Sequence, residues 1–590
     1  MEVARESIDM FLNSRMVEAE DLFRHHQDNR QVRMAQCYCS VMSAVVTFES
    51  AQLERTLQLL KATEKAMTPD TGLVNQLRTK LKAPEQLEES EVVGLLERQI
   101  AVADCQVCAA VINFLQQDVG SCVRGSWGLR RAWKTYDRIY GQISSLYREG
   151  RQDRLENAAE PGEGRAAEPA ARPLLPSSAS SPNLAAPAAP SGLRRSATRL
   201  HVDQARPVSA EAAEALMGSV SLGYGLFQLT VSLLPAKFVK VVQLLGFQSD
   251  RSAALAALMF CRTSRDMRAP LASLALLWYH SVVRPLLSLD GRAVSAGVAV
   301  CHQLLRETEG RYGQAALFQF FRGRLLRLES DLSGAIGAYE VAASQGQQGE
   351  VRLLCLHEIG WCRLLQLDWV EAFVAFSELA EQSRWSKAFY QYLSALCTGA
   401  SGDITLASAL LKDIPPPGRG RSELDTFLES RAAALREPRA PPAAQLACRL
   451  HAYELLYLWN ALPSCPQDVW KAVVEDCERA ALELPPLAAV AHLVCGGVFD
   501  NTCLREAERH YIRALHLGKG DSRRAYVAPH ASYELAAMYC AQAKRRAEGR
   551  ALLLTARDDY KDYDFESRLA VRIQAALKRL EKTGREQKSK

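Results

Sequence analysis

Small residues recur at a fixed distance before an aromatic along this chain, and that recurrence restricts its possible folds more than any other feature. Gly323 is followed twelve residues later by Ala335, then by Tyr339 and Ala342; Gly360 is followed at the same interval by Ala372, then by Phe376 and Leu379. The two copies lie 37 residues apart. Ala395, Ala407 and Leu411 continue the register 35 residues on, Cys495, Ala507, Tyr511 and Ala514 restate it, and Ala19 with Phe23 is a weaker copy near the N-terminus. A fixed period of this length means a stack of like units, each too small to bury its own apolar face.

The spacing has a mechanical reason. Small side chains on a first helix (Gly323, Gly360, Ala395) and at the start of a second (Ala335, Ala372, Ala407) let two antiparallel helices approach closely, and the aromatic fills the wedge between them. This is the pattern of tetratricopeptide helix hairpins, although other arrays of helical hairpins share the Ala-x-x-x-aromatic spacing. Alternating runs of Val, Ile, Thr and Tyr are missing, and no Asn-Gly or Asp-Gly turn joins two apolar runs. The expected fold is all-α, a tetratricopeptide-like solenoid in two blocks joined by a disordered linker.

Aromatic residues place that linker, because none occurs between Tyr147 and Tyr224. The stretch 157–192 is mostly Ala, Pro, Ser and Gly and offers too little apolar surface to offset ordering entropy. The expected division is an N-terminal helical arm over 1–150, a linker over 151–210 and a repeat block over 211–590. Within the arm, Trp133, Tyr136 and Tyr140 share one helix face and Arg131, Lys134 and Arg138 the opposite one, which reads as an anchored helix with a solvated basic side.

Charge and cysteine content exclude several classes. A formal net charge of +5 over 590 residues is too near balance for a polyanion-binding surface. The charged N-terminal residues do not resemble a secretory signal, and 16 cysteines without a paired C-x-x-C array are used as small buried apolar groups, so a cytoplasmic protein is expected. The uncharged stretch 216–236 is long enough to span a bilayer, but its glycines, hydroxyls and Gln228 make a buried helix the better reading.

No Gly-rich phosphate loop, G-x-S-x-G elbow or H-E-x-x-H pair occurs, so no catalytic residue, metal site or cofactor is expected. Cys105 and Cys108 sit among apolar neighbours and read as core. Asp562-Tyr-Asp564-Phe-Glu566 lacks the glycine of a calcium loop and reads as a helix start capped by Asp564. His280, alone in an apolar run, reads as a satisfied core histidine.

Longer blocks are more specific. Gly125-Ser-Trp-Gly-Leu-Arg-Arg-Ala-Trp-Lys-Thr-Tyr136, Gly223-Tyr-Gly-Leu-Phe227, Leu245-Gly-Phe247, Asp250-Arg251 and the run from Met267-Arg-Ala-Pro-Leu to Arg284-Pro285 stand in that order. Glu358-Ile-Gly-Trp-Cys362, Ser383-Arg-Trp-Ser386, Glu454-Leu-Leu-Tyr-Leu-Trp-Asn-Ala-Leu-Pro463 and Tyr563-Asp-Phe-Glu-Ser-Arg568 follow. Together they resemble the tetratricopeptide repeat protein 39 family, most of all its C branch, with the Ala/Pro/Ser-rich linker as the departure. The resemblance implies a non-catalytic protein acting through protein contacts. It ties the C branch to cilium assembly, other members to lipid and sterol handling, and fungal relatives to clearance of inclusions.

Two readings of function follow. The first is an adaptor that presents a concave groove to a peptide or helix of a protein partner. The second is a lipid-associated protein using 216–236 or the apolar run 269–283 as its contact. For the adaptor, the repeat register places Phe320, Arg324 and Arg327, then His357, Trp361 and Leu364, then Tyr392 and Leu396 on the groove. The arginines would hold an acidic partner segment and accept charge reversal without loss of stability. The alternative is that Trp361 and Tyr392 seal one hairpin against the next. Arg195-Ser-Ala-Thr198 places an arginine three residues before a hydroxyl, which makes Thr198 a candidate phosphosite.

Overall fold

The turns of three central hairpins share one chemistry, and an aspartate in each supplies it. In the computed structural model Ser330, Leu367 and Gly402 take positive φ angles of 64°, 58° and 113°, the left-handed conformation that closes a helix. The next residue is Asp331, Asp368 or Asp403, whose N–H donates back to the carbonyl of Leu326, Arg363 or Thr398 at 3.0, 2.9 and 3.1 Å. Its carboxylate then accepts the N–H of Gly334, Glu371 or Leu406 and starts the following helix. One residue thus ends the first helix and caps the second. Ser14, at φ 61°, makes the same stop near the N-terminus, where the Arg15 N–H donates to the Met10 carbonyl at 2.8 Å.

The structure describes residues 2–47, 49–68, 88–115, 119–159, 208–233, 250–289, 294–346, 349–383, 386–414, 422–500 and 502–588. Among these residues there are helices and turns and no strand. In chain order the helices are α1 (Glu2–Leu12), α2 (Met16–His25), α3 (Arg30–Thr47), α4 (Ser50–Met67), α5 (Glu89–Leu115), α6 (Val119–Ala159), α7 (Ala210–Ser232) and α8 (Arg251–Thr263). Next come α9 (Ala269–Trp278, continued by a π turn, Tyr279–Val283, and a last α turn, Arg284–Leu286), α10 (Ser295–Tyr312), α11 (Ala316–Leu328), α12 (Leu332–Gln345), α13 (Gly349–Leu365), α14 (Trp369–Gln382), α15 (Lys387–Ser401) and α16 (Ile404–Lys412). The last are α17 (Glu423–Arg436), α18 (Pro441–Leu458), α19 (Gln467–Glu483), α20 (Ala488–Phe499), α21 (Leu504–Gly518), α22 (Val527–Ala541), α23 (Arg546–Asp558) and α24 (Glu566–Lys588). No helix among the described residues is long and apolar enough to cross a membrane.

The chain forms two compact units, one drawn from Met1–Ser7, Leu22–Ser232 and Phe247–Ala272, the other from Ile8–Asp21, Leu233–Gly246 and Ser273–Lys590. In the first, α3 to α7 follow one another, α7 packs on α8, and α5 also meets α3 and α7. Trp133 stacks on Phe227 at 5.2 Å and Tyr140 on Tyr224 at 3.8 Å, while Arg131, Lys134 and Arg138 are exposed. The anchored-helix reading of this segment agrees with that arrangement. The helices of 210–263 therefore pack with those of the arm, where the sequence placed them at the head of the repeat block. Stretch 160–207, which holds most of the expected linker and Thr198, lies outside the described residues, and 151–159 continue α6.

In the second unit each helix from α10 to α23 packs on its successor, and α18 also reaches back to α15. Glycines set the approach within a hairpin. A Cβ at Gly323 would stand 2.5 Å from the Tyr339 ring and one at Gly360 would stand 2.6 Å from the Phe376 ring, closer than carbon atoms pack. Near the C-terminus the residue that meets Tyr511 is Gly496, at 2.5 Å for a Cβ, one position after the Cys495 that the register selects.

Candidate functional site

The residues selected for a groove do come together, but they face the chain's own side chains. Phe320, Arg327, Trp361, Leu364, Tyr392 and Leu396 are buried, and Arg324 and His357 are partly so. The reason lies far along the sequence. Trp459, at the end of α18, stacks on Trp361 at 5.9 Å and on Phe389 at 5.5 Å. Phe565 closes on Trp459 edge-on at 5.5 Å. At Trp361 and along α15, the face that the repeat register assigns to a partner is covered by Trp459 and α18, with Phe565 against Trp459.

The two arginines expected to hold an acidic partner hold Glu358 instead. Arg324 donates from Nη1 to Glu358 Oε2 at 2.7 Å and Arg327 from Nη1 to the same oxygen at 2.5 Å. Arg324 Nη2 also donates to the Ser281 carbonyl at 3.2 Å, and the Arg327 guanidinium lies 5.9 Å from the Trp361 ring centre. Burial opposes ionisation of Glu358, yet the guanidiniums of Arg324 and Arg327 draw its pKa down to about 2. Burial pushes the neighbouring His357 down to about 4, and its Nδ1 lies 3.1 Å from the Tyr390 hydroxyl.

Three further acids are treated alike inside this unit. Glu454 Oε1 accepts from Arg431 Nε at 2.9 Å and from the Tyr526 hydroxyl at 2.7 Å, while its Oε2 lies 2.9 Å from His451 Nδ1. Arg431 reaches onward to Asp564 at 3.1 Å, so Asp564 holds α17 and not the start of α24 as a cap. Asp476 accepts from the Tyr453 hydroxyl at 2.9 Å and pairs with Arg449 at 3.3 Å. Glu534 accepts from Arg572 at 2.8 Å and from the Tyr457 hydroxyl at 3.3 Å.

The first unit has a centre of its own. Arg268, fully buried, pairs with Asp104 at 3.2 Å and Asp266 at 3.1 Å and donates to the Tyr38 hydroxyl at 2.8 Å. Tyr38 donates to Asp104 at 2.5 Å, and Tyr136 donates to its other oxygen. A Cβ at Gly223 would overlap the Tyr136 hydroxyl and the Asp104 carboxylate, which explains a glycine in the middle of α7. Burial outweighs these partners and raises the Asp104 pKa. Cys105 packs on Met34 at 3.8 Å, and in the second unit His280, buried, lies 3.3 Å from Arg284, so both read as core as expected.

Asp104, Glu358, Glu454 and Arg431 were missed as the organising residues. The available signal was an ionisable residue inside an otherwise apolar helical stretch, as in Ala-Val-Ala-Asp104-Cys-Gln-Val, since such a residue is rarely buried unless paired. The long blocks that carried the family resemblance supply most of these side chains: Tyr136, Gly223 and Arg268 line one centre in the first unit; in the second, Trp361, Trp459, Phe565 and Arg568 form one chain of contacts that Arg327 joins to Glu358, and Glu454 lies on Arg431.

Paired antiparallel helices, a glycine against an aromatic in the hairpin core and a period of 35 to 37 residues between aspartate-capped turns define a tetratricopeptide-type helical repeat protein. The family model described as Iml2/Tetratricopeptide repeat protein 39 matches residues 5–483. The chain belongs to that family.

Proposed function

We propose that this chain is a non-catalytic protein-interaction scaffold of the cytoplasm, of the C branch of its family and acting, as the sequence resemblance implies, in cilium assembly. The observation that carries the reading is the stacked hairpin array itself, whose units gain stability only from their neighbours and leave an extended surface for partners. The ionisable groups described above support it, because their hydrogen bonds join one helix to another. The outer side of α14 adds Val370 and Val374, one turn apart and 62% and 53% exposed, as apolar contact surface.

Proximity labelling with the full chain, followed by reconstitution of the strongest neighbours from purified proteins, tests the reading. A binary complex with a ciliary protein is the expected result; neighbours that never form a direct complex with the purified chain would refute it. Burial of most apolar side chains in α7 and in the run 269–283 favours the scaffold over a lipid-associated protein; the end of the first segment, 234–236, lies outside the described residues. Flotation with liposomes should leave the protein at the bottom of the gradient.

A further inference from the structure

Each of the buried carboxylates described above has arginine or tyrosine against it, but one arginine has no such counterpart. Arg568, in the first turn of α24, places its guanidinium 4.8 Å from the Trp459 ring centre and 4.7 Å from that of Phe565. Its Nη1 is sealed from solvent and finds no acceptor among the described residues. No carboxylate of those residues forms an ion pair with it; Glu423 is the acid whose charge it feels. Burial accordingly lowers its pKa.

Other orphan groups surround the same aromatic cluster. His530 is buried with neither ring nitrogen bonded, within electrostatic reach of Arg572 and Arg568. Trp361, stacked on Trp459, has an unbonded Nε1. A buried guanidinium without an anion is costly, and an unbonded N–H adds to the cost. Trp459 and Arg568 are both still partly exposed.

We propose that Arg568 and the adjoining Trp459 ring receive the carboxylate of an acidic segment of a partner protein. The charge balance selects a carboxylate. Arg572 pairs with Glu534, Arg431 with Glu454 and Asp564, and Arg324 and Arg327 share Glu358, whereas Arg568 has no carboxylate of the described residues at ion-pair distance. A single carboxylate matches its charge, whereas a phosphate dianion or a polyanion exceeds it. The partly exposed ring of Trp459 suits an apolar neighbour of that acid in a peptide. The proposal rests on the scaffold reading and names where one partner segment docks.

The test pans a random-peptide display library against the full-length protein. Enriched sequences should carry Asp or Glu at one fixed position beside an apolar residue. A synthetic copy with Gln in place of that acid should bind at least about tenfold more weakly. Arg568→Gln should lose the same factor and Arg568→Lys less. Because Arg568→Gln deletes an unmatched buried charge, its melting temperature should be no lower than that of the wild type, the opposite of what a purely structural arginine shows. In the unaltered protein, a photo-crosslinker beside the peptide's acid should attach at Trp459.

No enrichment, enrichment without an acid, equal binding by Arg568→Gln, or cross-links elsewhere would each overturn the proposal. A reconstituted partner whose binding survives Arg568→Gln would leave the scaffold reading standing and remove this site from it.

Discussion

Replacing Glu358 by Gln removes the anion that Arg324 and Arg327 share in the interior of the second unit. Two independent routes give the size of the effect. Taking one partner from a buried ion pair costs about 3–5 kcal/mol. Holding a carboxyl at about 2 instead of its ordinary 4.5 corresponds to roughly 3 kcal/mol at neutral pH. The expected loss is therefore about 3 kcal/mol, read from the urea midpoint of the transition followed by tryptophan fluorescence, because Trp361 lies against Arg327 and Trp459. The pH dependence has a definite sign. A carboxyl with a lowered folded-state pKa stabilises the fold above pH 4.5 and loses that contribution as pH falls toward 2, so Glu358→Gln should flatten the acid limb of the stability curve. Arg324→Met with Arg327→Met and Glu358→Leu should recover most of the loss, since no charge is then left unpaired. Reversing both arginines to Glu, harmless on an exposed groove, brings three carboxylates together here and should prevent this unit from folding. A Glu358→Gln effect below about 1 kcal/mol, the size of an exposed pair, would refute the reasoning, as would a triple variant less stable than the single one.

Gly360→Ala should already destabilise by about 1–3 kcal/mol, because its Cβ meets the Phe376 ring at 2.6 Å, and Gly360→Leu by more; Gly337→Ala, with nothing within 4 Å of its Cβ, should stabilise by about 0.5–1 kcal/mol. Thermal melts of the two variants in parallel decide this, and a shift of the same sign in both would count against the close-approach argument. Asp368→Ala removes the carboxylate that starts α14 and should lower stability by about 1 kcal/mol, with Asp368→Asn retaining most of it. The Nδ1 atoms of His492 and His510 lie 3.0 Å apart, which permits one proton between them but not two. Burial, with His492 and Arg509 nearby, depresses His510 to about 4, so the contribution of the pair is complete above pH 6.5 and declines as pH falls toward 4. Hydrogen exchange in α20 and α21 should speed up over that interval, and His510→Phe should reduce the change, the remainder coming from His492, which burial and Arg513 also hold below its ordinary value.

The sequence by itself determined the parts of this protein that depend on near neighbours. Gly323 sixteen residues before Tyr339, and Gly360 sixteen before Phe376, specify a helix hairpin, because both members of the contact belong to one unit and the turn between them is closed by a local aspartate. The same locality made the aromatic and basic faces of α6 legible. Burial of the groove was not legible in this way. Whether Trp361 faces a partner or the interior depends on Trp459 and Phe565, which stand about 100 and 200 positions further along the chain, and a period of 35 to 37 residues carries no information about segments that fold back across it. The pairing of Arg324 and Arg327 with Glu358 was hidden for a related reason. Helical register assigns a side chain to a face, but only the stacking of α13 on its neighbours places a carboxylate within 3 Å of two guanidiniums. Once water is excluded there, the tertiary structure converts charges that would have been ligands for a partner into the bonds that hold the array together.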